Sequence, residues 1–279
     1  MAATNIAPPI IVLESGDVEA GLALSDEAGW NQTPADWRYF LSHGMVFGIR
    51  DAHRQVIATA ALLPFPPAAW ISLVLVTAPW RRRGLASALF ARCVEGAQAR
   101  KLSAWLDATP AGAAVYEKMG FSSETGGLQR LRRQAASHAA ITEAESTDDG
   151  AFRRLVDRDR RVMGFDRPLL LAEFAGRPGT KLYERAGAVC LVRDGRRARH
   201  IGPLFADAEP QAAALIDDVA RREQGPLIID LFDANTTVLA SLLERGFVSE
   251  RPFLRMRRGP SRHCGERSSL VASAGPEFG

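Results

Sequence analysis

The chain of 279 residues is longer than a typical single domain, and its length predicts two domains of roughly 130 residues each. Hydrophobic residues make up 47% and charged residues 24%, which is the balance of a globular protein that can bury a core. A total of 35 Lys and Arg against 32 Asp and Glu leaves a net charge of +3, concentrated in short arginine clusters. Because such clusters are usually solvated and no aromatic residues alternate with them, we expect no nucleic-acid partner.

Several other classes of protein are disfavoured. The three cysteines and five histidines show no metal-ligand spacing, so we expect no metal site. The apolar start at 6–13 contains two prolines and lacks a basic region, so it is not a signal peptide. No run approaches the ~18 apolar residues of a membrane span. The sequence therefore predicts a cytoplasmic protein with no membrane partner.

Periodicity and turn residues predict the following elements in chain order. In the first half they are strands at 10–14, 46–50, 56–63, 70–76, 102–106 and 128–133 and helices at 18–28, 34–42, 82–99 and before Gly120. In the second half they are strands at 139–142, 181–184, 188–193, 198–204 and 227–231 and helices at 149–163 and 210–222. The proline-rich stretch 64–67 is expected to break two strands that would otherwise pair as a hairpin. Residues 269–274 are expected to add a further strand.

The second half of the chain repeats the pattern of the first. Asp107 and Asp233 are 126 residues apart, and so are the glycines of two Gly-Phe pairs, Gly120 and Gly246. In both copies an apolar strand precedes the aspartate, and a helical segment separates it from the Gly-Phe pair. Glycine directly after a helix is a common left-handed cap. The repeat predicts two related domains, residues 1–136 and 137–279, with a C-terminal tail at 261–279.

A short basic turn connects the predicted strand 70–76 to a helix. Its sequence is Arg81, Arg82, Arg83, Gly84, Leu85 and Ala86. The first backbone N–H groups of a helix lack intrahelical partners, and together with the helix dipole they form an anion site. Gly84 and Ala86 let a phosphate approach the backbone closely. On this argument alone, a diphosphate site and an ordinary connection with solvated arginines have equal weight.

The order RxxGxA after an apolar strand resembles the coenzyme A pyrophosphate loop of the GNAT acetyltransferase superfamily. The stretch Val115 to Phe121 is similar to the closing motif of that family, whose tyrosine, here Tyr116, acts as general acid toward the departing thiolate. The resemblance covers nearly the whole chain and extends to a subgroup with tandem domains. It implies an α/β fold, a mixed α+β sheet in two tandem GNAT-like domains, with acetyl-CoA or coenzyme A as co-substrate.

The same resemblance implies which residues contact the coenzyme. The family opens its sheet near Leu75 and Val76 to admit pantetheine, and a backbone N–H there stabilises the oxyanion. The implied coenzyme-binding set is Leu75, Val76, Arg81, Arg82, Arg83, Gly84, Leu85, Ala86 and Thr109. Thr109 departs from the family pattern, because most members have Asn at that position.

The segment after the first helix lies where the family places its acceptor-binding loop. It contains Asp26, Glu27, Trp30 and Asn31. Two carboxylates and an indole suit a cationic amine. They suit a capped helix end with a core tryptophan equally well, and both interpretations stay open.

The second domain lacks the features that carry this chemistry. At the repeat spacing, the basic turn corresponds to 207–212, which contains two acidic residues and Pro210. Acidic side chains repel a diphosphate, and proline has no backbone N–H to offer. Leu242 replaces Tyr116. We therefore predict a coenzyme site in the first domain only, with the second domain structural and substrate-shaping.

These observations predict an acyl-CoA-dependent N-acyltransferase that acts on a primary amine of a small molecule, with Tyr116 as general acid. The alternative is a non-catalytic acyl-CoA sensor, and a Tyr116 that merely packs in the core would fit it. No general base is identifiable, because the strand 71–76 has no carboxylate and Asp107 is retained as Asp233 in the second domain. Both a monomer and a homodimer are compatible with the sequence.

Overall fold

A computed structural model describes residues 9–135, 149–185, 187–259, 265 and 267–279. Within them, 13 strands form one continuous mixed sheet that passes through both halves of the chain. The strands are β1 (Ile10–Val12), β2 (Met45–Arg50), β3 (Val56–Phe65), β4 (Ala68–Val76), β5 (Ser103–Ala108), β6 (Ser122–Ser123), β7 (Leu128–Arg133), β8 (Lys181–Arg185), β9 (Ala188–Arg193), β10 (Arg199–Ala206), β11 (Leu227–Phe232), β12 (Val248–Arg258) and β13 (Leu270–Ala272).

Helices cover both faces of this sheet, as the predicted α/β class requires. The described α-helices are α1 (Val18–Glu27), α2 (Pro34–His43), α3 (Leu85–Ala99), α4 (Pro110–Lys118), α5 (Asp149–Met163), α6 (Pro168–Gly176), α7 (Glu209–Arg222) and α8 (Thr236–Glu244). Helix α3 packs on the first half of the sheet and α7 on the second. Helices α1, α2, α5 and α6 share one core with Phe278 of the tail, so the two halves are packed together. None of these helices is long and apolar enough to cross a membrane.

Most predicted elements are confirmed, including the tail strand, but the prediction for the proline-rich stretch is wrong. Strand β3 continues through Pro64, and Phe65 stands opposite Ala68, so β3 and β4 do form a hairpin. The neighbouring strand β2 begins at Met45, opposite Leu62. The part of β3 after Leu62 therefore has a partner strand on one side only. A proline that lacks an N–H is tolerated where one side of the strand is free. The strand predicted at 139–142 lies outside the described residues.

The two halves exchange their last strands. In the sheet the order is β1-β2-β3-β4-β5-β12-β7-β11-β13-β10-β9-β8, with β6 beside β12. Strand β7, from the first half, pairs along its whole length with β11 of the second half. Strand β12, from the second half, pairs with β7 and then with β5 of the first half. Each half therefore completes its sheet with a strand from the other.

A buried arginine–aspartate pair fixes each exchanged strand to its host. Arg255 of β12 stands opposite Asp107 of β5, and its Nε and one Nη each donate to the carboxylate at 2.8 Å. Arg130 of β7 makes the same two-pronged contact with Asp230 of β11, again at 2.8 Å. The guanidinium of Arg255 also lies between the rings of Trp70 and Phe232, at 4.7 and 4.8 Å. These pairs correct the expectation that the arginine clusters are solvated surface.

The Arg255–Asp107 pair predicts a large loss of stability when one charge is removed. Their side chains are only 2% and 0% exposed, so Arg255→Leu leaves a buried carboxylate without its guanidinium. We expect the free energy of unfolding at pH 7 to fall by about 3–5 kcal/mol, measured by urea denaturation. The double variant Arg255→Leu/Asp107→Leu removes both charges and should recover most of this loss.

A control for this variant is Arg92→Leu, which removes an arginine from a pair with Glu95 whose side chains are 52% and 57% exposed. Exposed pairs contribute at most about 1 kcal/mol, so the control should unfold near the wild-type urea concentration. If Arg255→Leu does so too, the pair does not hold the exchanged strand.

Candidate active site

The turn after β4 forms an open cradle at the start of α3. Helix α3 begins at Leu85, three residues later than predicted. The reason is that Arg82 (φ 61°) and Gly84 (φ 79°) both adopt the left-handed conformation, which interrupts a right-handed helix. A Cβ atom added at Gly84 would meet no atom within 4 Å, so the space beside the helix N-terminus is open.

The three arginines of this turn are exposed, and two of them are tied to nearby residues. Arg81 donates from Nε to the carbonyl of Val76 at 3.0 Å. Arg83 donates to the carbonyl of Pro79 at 3.0 Å, and its guanidinium lies 4.8 Å from the centre of the Trp80 ring. A helix N-terminus with open space and exposed positive charge fits the diphosphate of coenzyme A.

Strands β4 and β5 separate immediately next to this turn. Their parallel pairing ends where Trp70 stands opposite Trp105. Beyond that point β4 carries a bulge, in which Leu73 and Val74 stand opposite a single residue of β3. Leu73 has a φ of 51°, a strained value for leucine, and the buried Thr59 hydroxyl donates to its carbonyl at 2.9 Å. The bulge takes Leu73 and Val74 out of the β3–β4 ladder, and a gap remains between β4 and β5.

Tyr116 lies on α4, across this gap. Thr109 caps the helix by accepting a hydrogen bond from the backbone N–H of Gly112 at 3.4 Å. The Tyr116 ring stacks on Phe90 of α3 with 4.3 Å between ring centroids. Burial raises the pKa of Tyr116 to about 12, so the phenol keeps its proton throughout the neutral range. A protonated phenol in this position can act as a proton donor.

A cavity of about 720 Å³, including its solvent-open mouth, lies between the two halves. From the first half it is lined by the β4 bulge, the end of β5 and Tyr116. The opposite wall is formed by Arg130 of β7, Arg251 and Phe253 of β12, and Pro276 and Glu277 of the tail.

Of the nine predicted coenzyme residues, one lines this cavity. Thr109 is part of the lining. Leu75 and Val76 are not, because they stand opposite Thr59 and Ala58 in the β3–β4 ladder. The bulge at Leu73 and Val74 leaves the ladder slightly earlier in the strand than the predicted position.

Of the four predicted acceptor residues, only Trp30 lines the cavity. Asp26 accepts two hydrogen bonds from Arg196, at 2.9 and 2.8 Å, and the Asn31 side chain contacts the backbone at 197–198. Both therefore connect the first half to the second. Glu27 instead accepts hydrogen bonds from the Thr77 hydroxyl (2.6 Å) and a neighbouring backbone N–H (2.7 Å), which lower the pKa of Glu27. Its carboxylate steadies the segment that leads into the phosphate turn.

Sequence reasoning missed the cavity wall opposite Tyr116, which β7, β12 and the tail form. Arg130 belongs to a cluster that we expected to be solvated, and no local motif marks Arg251, Phe253 or Glu277. Their only sequence signal is the alternation of basic and apolar residues along β7 and β12, which is typical of a strand with one buried face. Among the residues that the structure describes, no group of three or more His, Cys, Asp or Glu side chains is placed to hold a metal ion.

In the second half, the corresponding gap is filled by the chain itself. Strands β10 and β11 pair in parallel only between Arg199–Ile201 and Leu227–Ile229. Where they separate, β13 of the tail lies between them and pairs antiparallel with both. A Cβ atom at Gly202, in the bulge of β10, would lie 2.0 Å from the Ser273 carbonyl oxygen. Nothing as large as pantetheine fits between these strands.

The N-terminus of α7 is also altered. Pro210 occupies its first turn, and Asp207 just before the helix forms an ion pair with Arg158 at 2.9 Å. The carboxylate of Glu209 accepts hydrogen bonds from the backbone of Thr237 (2.7 Å) and Val238 (3.2 Å), at the start of α8. This end of α7 therefore carries negative charge, where α3 has arginines.

Two family models match the chain, and both belong to the GNAT acetyltransferases. The one described as the acetyltransferase (GNAT) family matches residues 19–121, and the one described as the acetyltransferase (GNAT) domain matches residues 155–271. The chain therefore belongs to the GNAT acetyltransferases and contains two GNAT domains in tandem, as its motifs predicted. Members of this family use acetyl-CoA as co-substrate.

Relatives extend the similarity over the whole chain. An uncharacterized N-acetyltransferase of Bacillus subtilis (strain 168), YitH, is 25% identical over 280 residues, which cover 97% of this chain and 99% of the relative. A solved putative acetyltransferase from Pyrococcus horikoshii has a TM-score of 0.76 at 18% identity, covering 99% and 98% of the two chains. A tandem GNAT protein from the clavulanic acid biosynthesis pathway has a TM-score of 0.63 at 17% identity, covering 91% and 99%. The solved structures share the two-domain fold.

The difference between the two gaps predicts one coenzyme per chain. Calorimetric titration with acetyl-CoA should give a stoichiometry near one, because β13 and the acidic end of α7 oppose binding in the second half. Two equivalent sites per chain would contradict this prediction.

Gly84→Glu should abolish coenzyme binding, because a negative side chain would enter the path of the diphosphate. The matched control is Gly246→Glu, since Gly246 has the same φ of 79° and equally open surroundings. Both variants should lose similar stability from backbone strain, but only Gly84→Glu should lose acetyl-CoA affinity in the titration. Unchanged affinity in Gly84→Glu would mean that the phosphates bind elsewhere.

Proposed function

We propose that this acetyltransferase transfers the acetyl group of acetyl-CoA directly to a primary amine of a small molecule. The observation that carries the proposal is the gap between β4 and β5, which opens beside a cavity lined by Tyr116, with the phosphate turn following the end of β4. The cavity is closed on its far side by the second half of the chain, so the acceptor site is a pocket. A concave pocket walled by both halves favours a small acceptor over a protein.

The first domain holds the coenzyme in this proposal. The turn around Gly84 binds the diphosphate, and the gap beside the Leu73–Val74 bulge admits the pantetheine arm. Backbone N–H groups released by the bulge are placed to stabilise negative charge on the thioester oxygen. Acetyl-CoA supplies the acyl group and the thiolate leaving group. The chain holds the reactants in position and supplies the proton.

Tyr116 is the proposed general acid. Its hydroxyl gives a proton to the coenzyme sulfur as the C–S bond breaks. A phenol with a pKa near 12 is fully protonated at neutral pH, so each catalytic cycle can begin with the acid in its active form. The stack on Phe90 holds the ring in place when the hydroxyl is removed.

The proposed reaction is tested by a panel of small amines with acetyl-CoA, following release of the free thiol. Release that depends on the amine, with the acetylated product identified by mass, supports the proposal. Acetyl-CoA binding without transfer to any amine would instead support the alternative, a protein that senses acyl-CoA.

Tyr116→Phe should lower turnover and leave binding intact. The loss in kcat and kcat/KM should be equal and within the ~10²–10⁴-fold range of general acid catalysis, near the lower end because a thiolate is a tolerable leaving group. The control is Tyr39→Phe, in which a buried phenol with a pKa of about 12 loses its hydroxyl outside the cavity lining. A Tyr116→Phe enzyme with lower melting temperature and unchanged kcat would assign Tyr116 to packing alone.

A further inference from the structure

The charged residues that line the cavity fall into two groups. Asp107 and Arg130 are each satisfied by a partner in the exchanged-strand pairs, Arg255 and Asp230. Arg251 and Glu277 line the same cavity, but neither forms an ion pair within the described part of the chain. Nearby charges act on both groups, but neither makes a hydrogen-bonded ion pair, and such buried charges are costly unless a ligand completes them.

The tail holds Glu277 rigidly at the cavity. The indole N–H of Trp70 donates to the Pro276 carbonyl at 2.8 Å, and Arg167 donates to the carbonyls of Phe278 and Gly279, each at 2.8 Å. The Phe278 ring packs in the shared core, 5.0 Å from the ring of Phe40. A carboxylate on such a fixed turn is placed for a specific task and is not a solvated surface charge.

Arg251 is the cationic counterpart on β12. Its Nε is buried and has no hydrogen-bond partner among the described residues, while its guanidinium lies 5.5 Å from the centre of the Phe253 ring. Burial and the neighbouring Arg130 lower the pKa of Arg251, which reflects the cost of keeping a cation there. A planar guanidinium with free N–H groups fits a carboxylate in a two-pronged contact.

We propose that the acceptor is a small compound with both a primary amine and a carboxylate, an amino acid or a close analogue, bound with its carboxylate on Arg251 and its amine beside Glu277. Glu277 is then the general base that the sequence did not reveal. This inference rests on the proposed acetyl transfer and adds the class of acceptor to it.

The proton balance of the reaction is complete with these groups. Glu277 takes one proton from the ammonium group, and the freed nitrogen lone pair forms the C–N bond. The C–S bond breaks as Tyr116 gives its proton to sulfur, and Tyr116 recovers a proton from the same nitrogen. Glu277 releases its proton to water, so the products are the amide, the free thiol and one proton.

The surroundings of Glu277 make it a stronger base than an ordinary carboxylate. Burial raises the pKa of Glu277 above its ordinary value of 4.5, and the positive Arg130 and Arg193 only partly oppose this effect. The other charged or titratable groups around it are Asp36, Asp107, Tyr116, Arg167, Asp230 and Arg251. Because the active form is the carboxylate, kcat/KM should fall as the pH drops through a pKa above 4.5.

Glu277→Gln tests the base. At pH 7 we expect kcat/KM to fall by about 10²–10⁴-fold with melting temperature and acetyl-CoA affinity unchanged. The remaining activity should rise about tenfold per pH unit up to the pKa of the acceptor amine, because only the neutral amine then reacts. Glu250→Gln removes an exposed carboxylate next to Arg251 outside the cavity lining and should keep the wild-type pH profile.

Arg251→Gln tests the carboxylate contact with matched acceptors, namely amino acids, their amides and the corresponding amines without the carboxylate. For acceptors with a carboxylate, KM should rise by about 10- to 100-fold, the effect of losing a charged hydrogen bond. For the other acceptors, the wild type and Arg251→Gln should be alike. Arg132→Gln, at an exposed pair on the neighbouring strand, is the control and should behave as wild type.

The outcomes separate this inference from the proposed function. A wild-type enzyme that acetylates amides and simple amines as well as amino acids, or a Glu277→Gln variant with the wild-type rate and pH profile, would overturn the inference and leave acetyl transfer to amines intact. A wild-type enzyme that binds acetyl-CoA and acetylates no member of the panel would overturn both.

Discussion

The exchange of β7 and β12 is the constraint on which the candidate active site depends. Two chemically identical contacts, Arg255 with Asp107 and Arg130 with Asp230, fix the exchanged strands, and all four side chains are almost fully buried. A buried pair of this kind is not a strong source of stability compared with apolar packing, but it is costly to break and specifies register. A shift of β12 by one residue would turn Arg255 away from Asp107, and it would move Phe253 and Arg251 out of the cavity wall.

The second domain shares the fold of the first but differs from it in what occupies the gap between its two parallel strands. Both domains have two parallel strands that separate just before a bulge in one of them. In the first domain this gap is open, and in the second it is filled by β13. The filled gap provides a firm attachment for the tail, with Arg193 donating to the Ala274 carbonyl just beyond β13. From that attachment the chain continues to Pro276 and Glu277 at the other domain's cavity. The gap that the chain fills in the second half thus anchors a wall of the cavity where we propose that coenzyme and acceptor react.

A feature of the fold or of the candidate site could be predicted when the residues that determine it lie close together in the sequence. The Arg81–Ala86 turn and Tyr116 could be proposed from the sequence because each lies in a short motif, RxxGxA and the stretch before Gly120, that resembles the family pattern within a few positions. The bulge at Leu73 could not be predicted. Its left-handed conformation is stabilised by contacts from other strands, such as that of Thr59 on β3, and no residue close in sequence signals it. The same holds for the proline hairpin, where the end of β2 decides whether Pro64 is tolerated.

The arginine clusters show most clearly why the rest could not be predicted. In sequence, Arg130 and Arg132 look alike, yet one is buried against Asp230 and the other lies on an exposed rim with Glu250. Which of them is buried is decided by the partner strand, and the partner comes from about a hundred residues away in the chain. Once the strands are paired, the buried charges fall into those that have an ion-pair partner in the protein and those that do not. Arg251 and Glu277 are the cavity charges for which the described chain provides no hydrogen-bonded ion pair, and our proposal for the acceptor's chemistry follows from them.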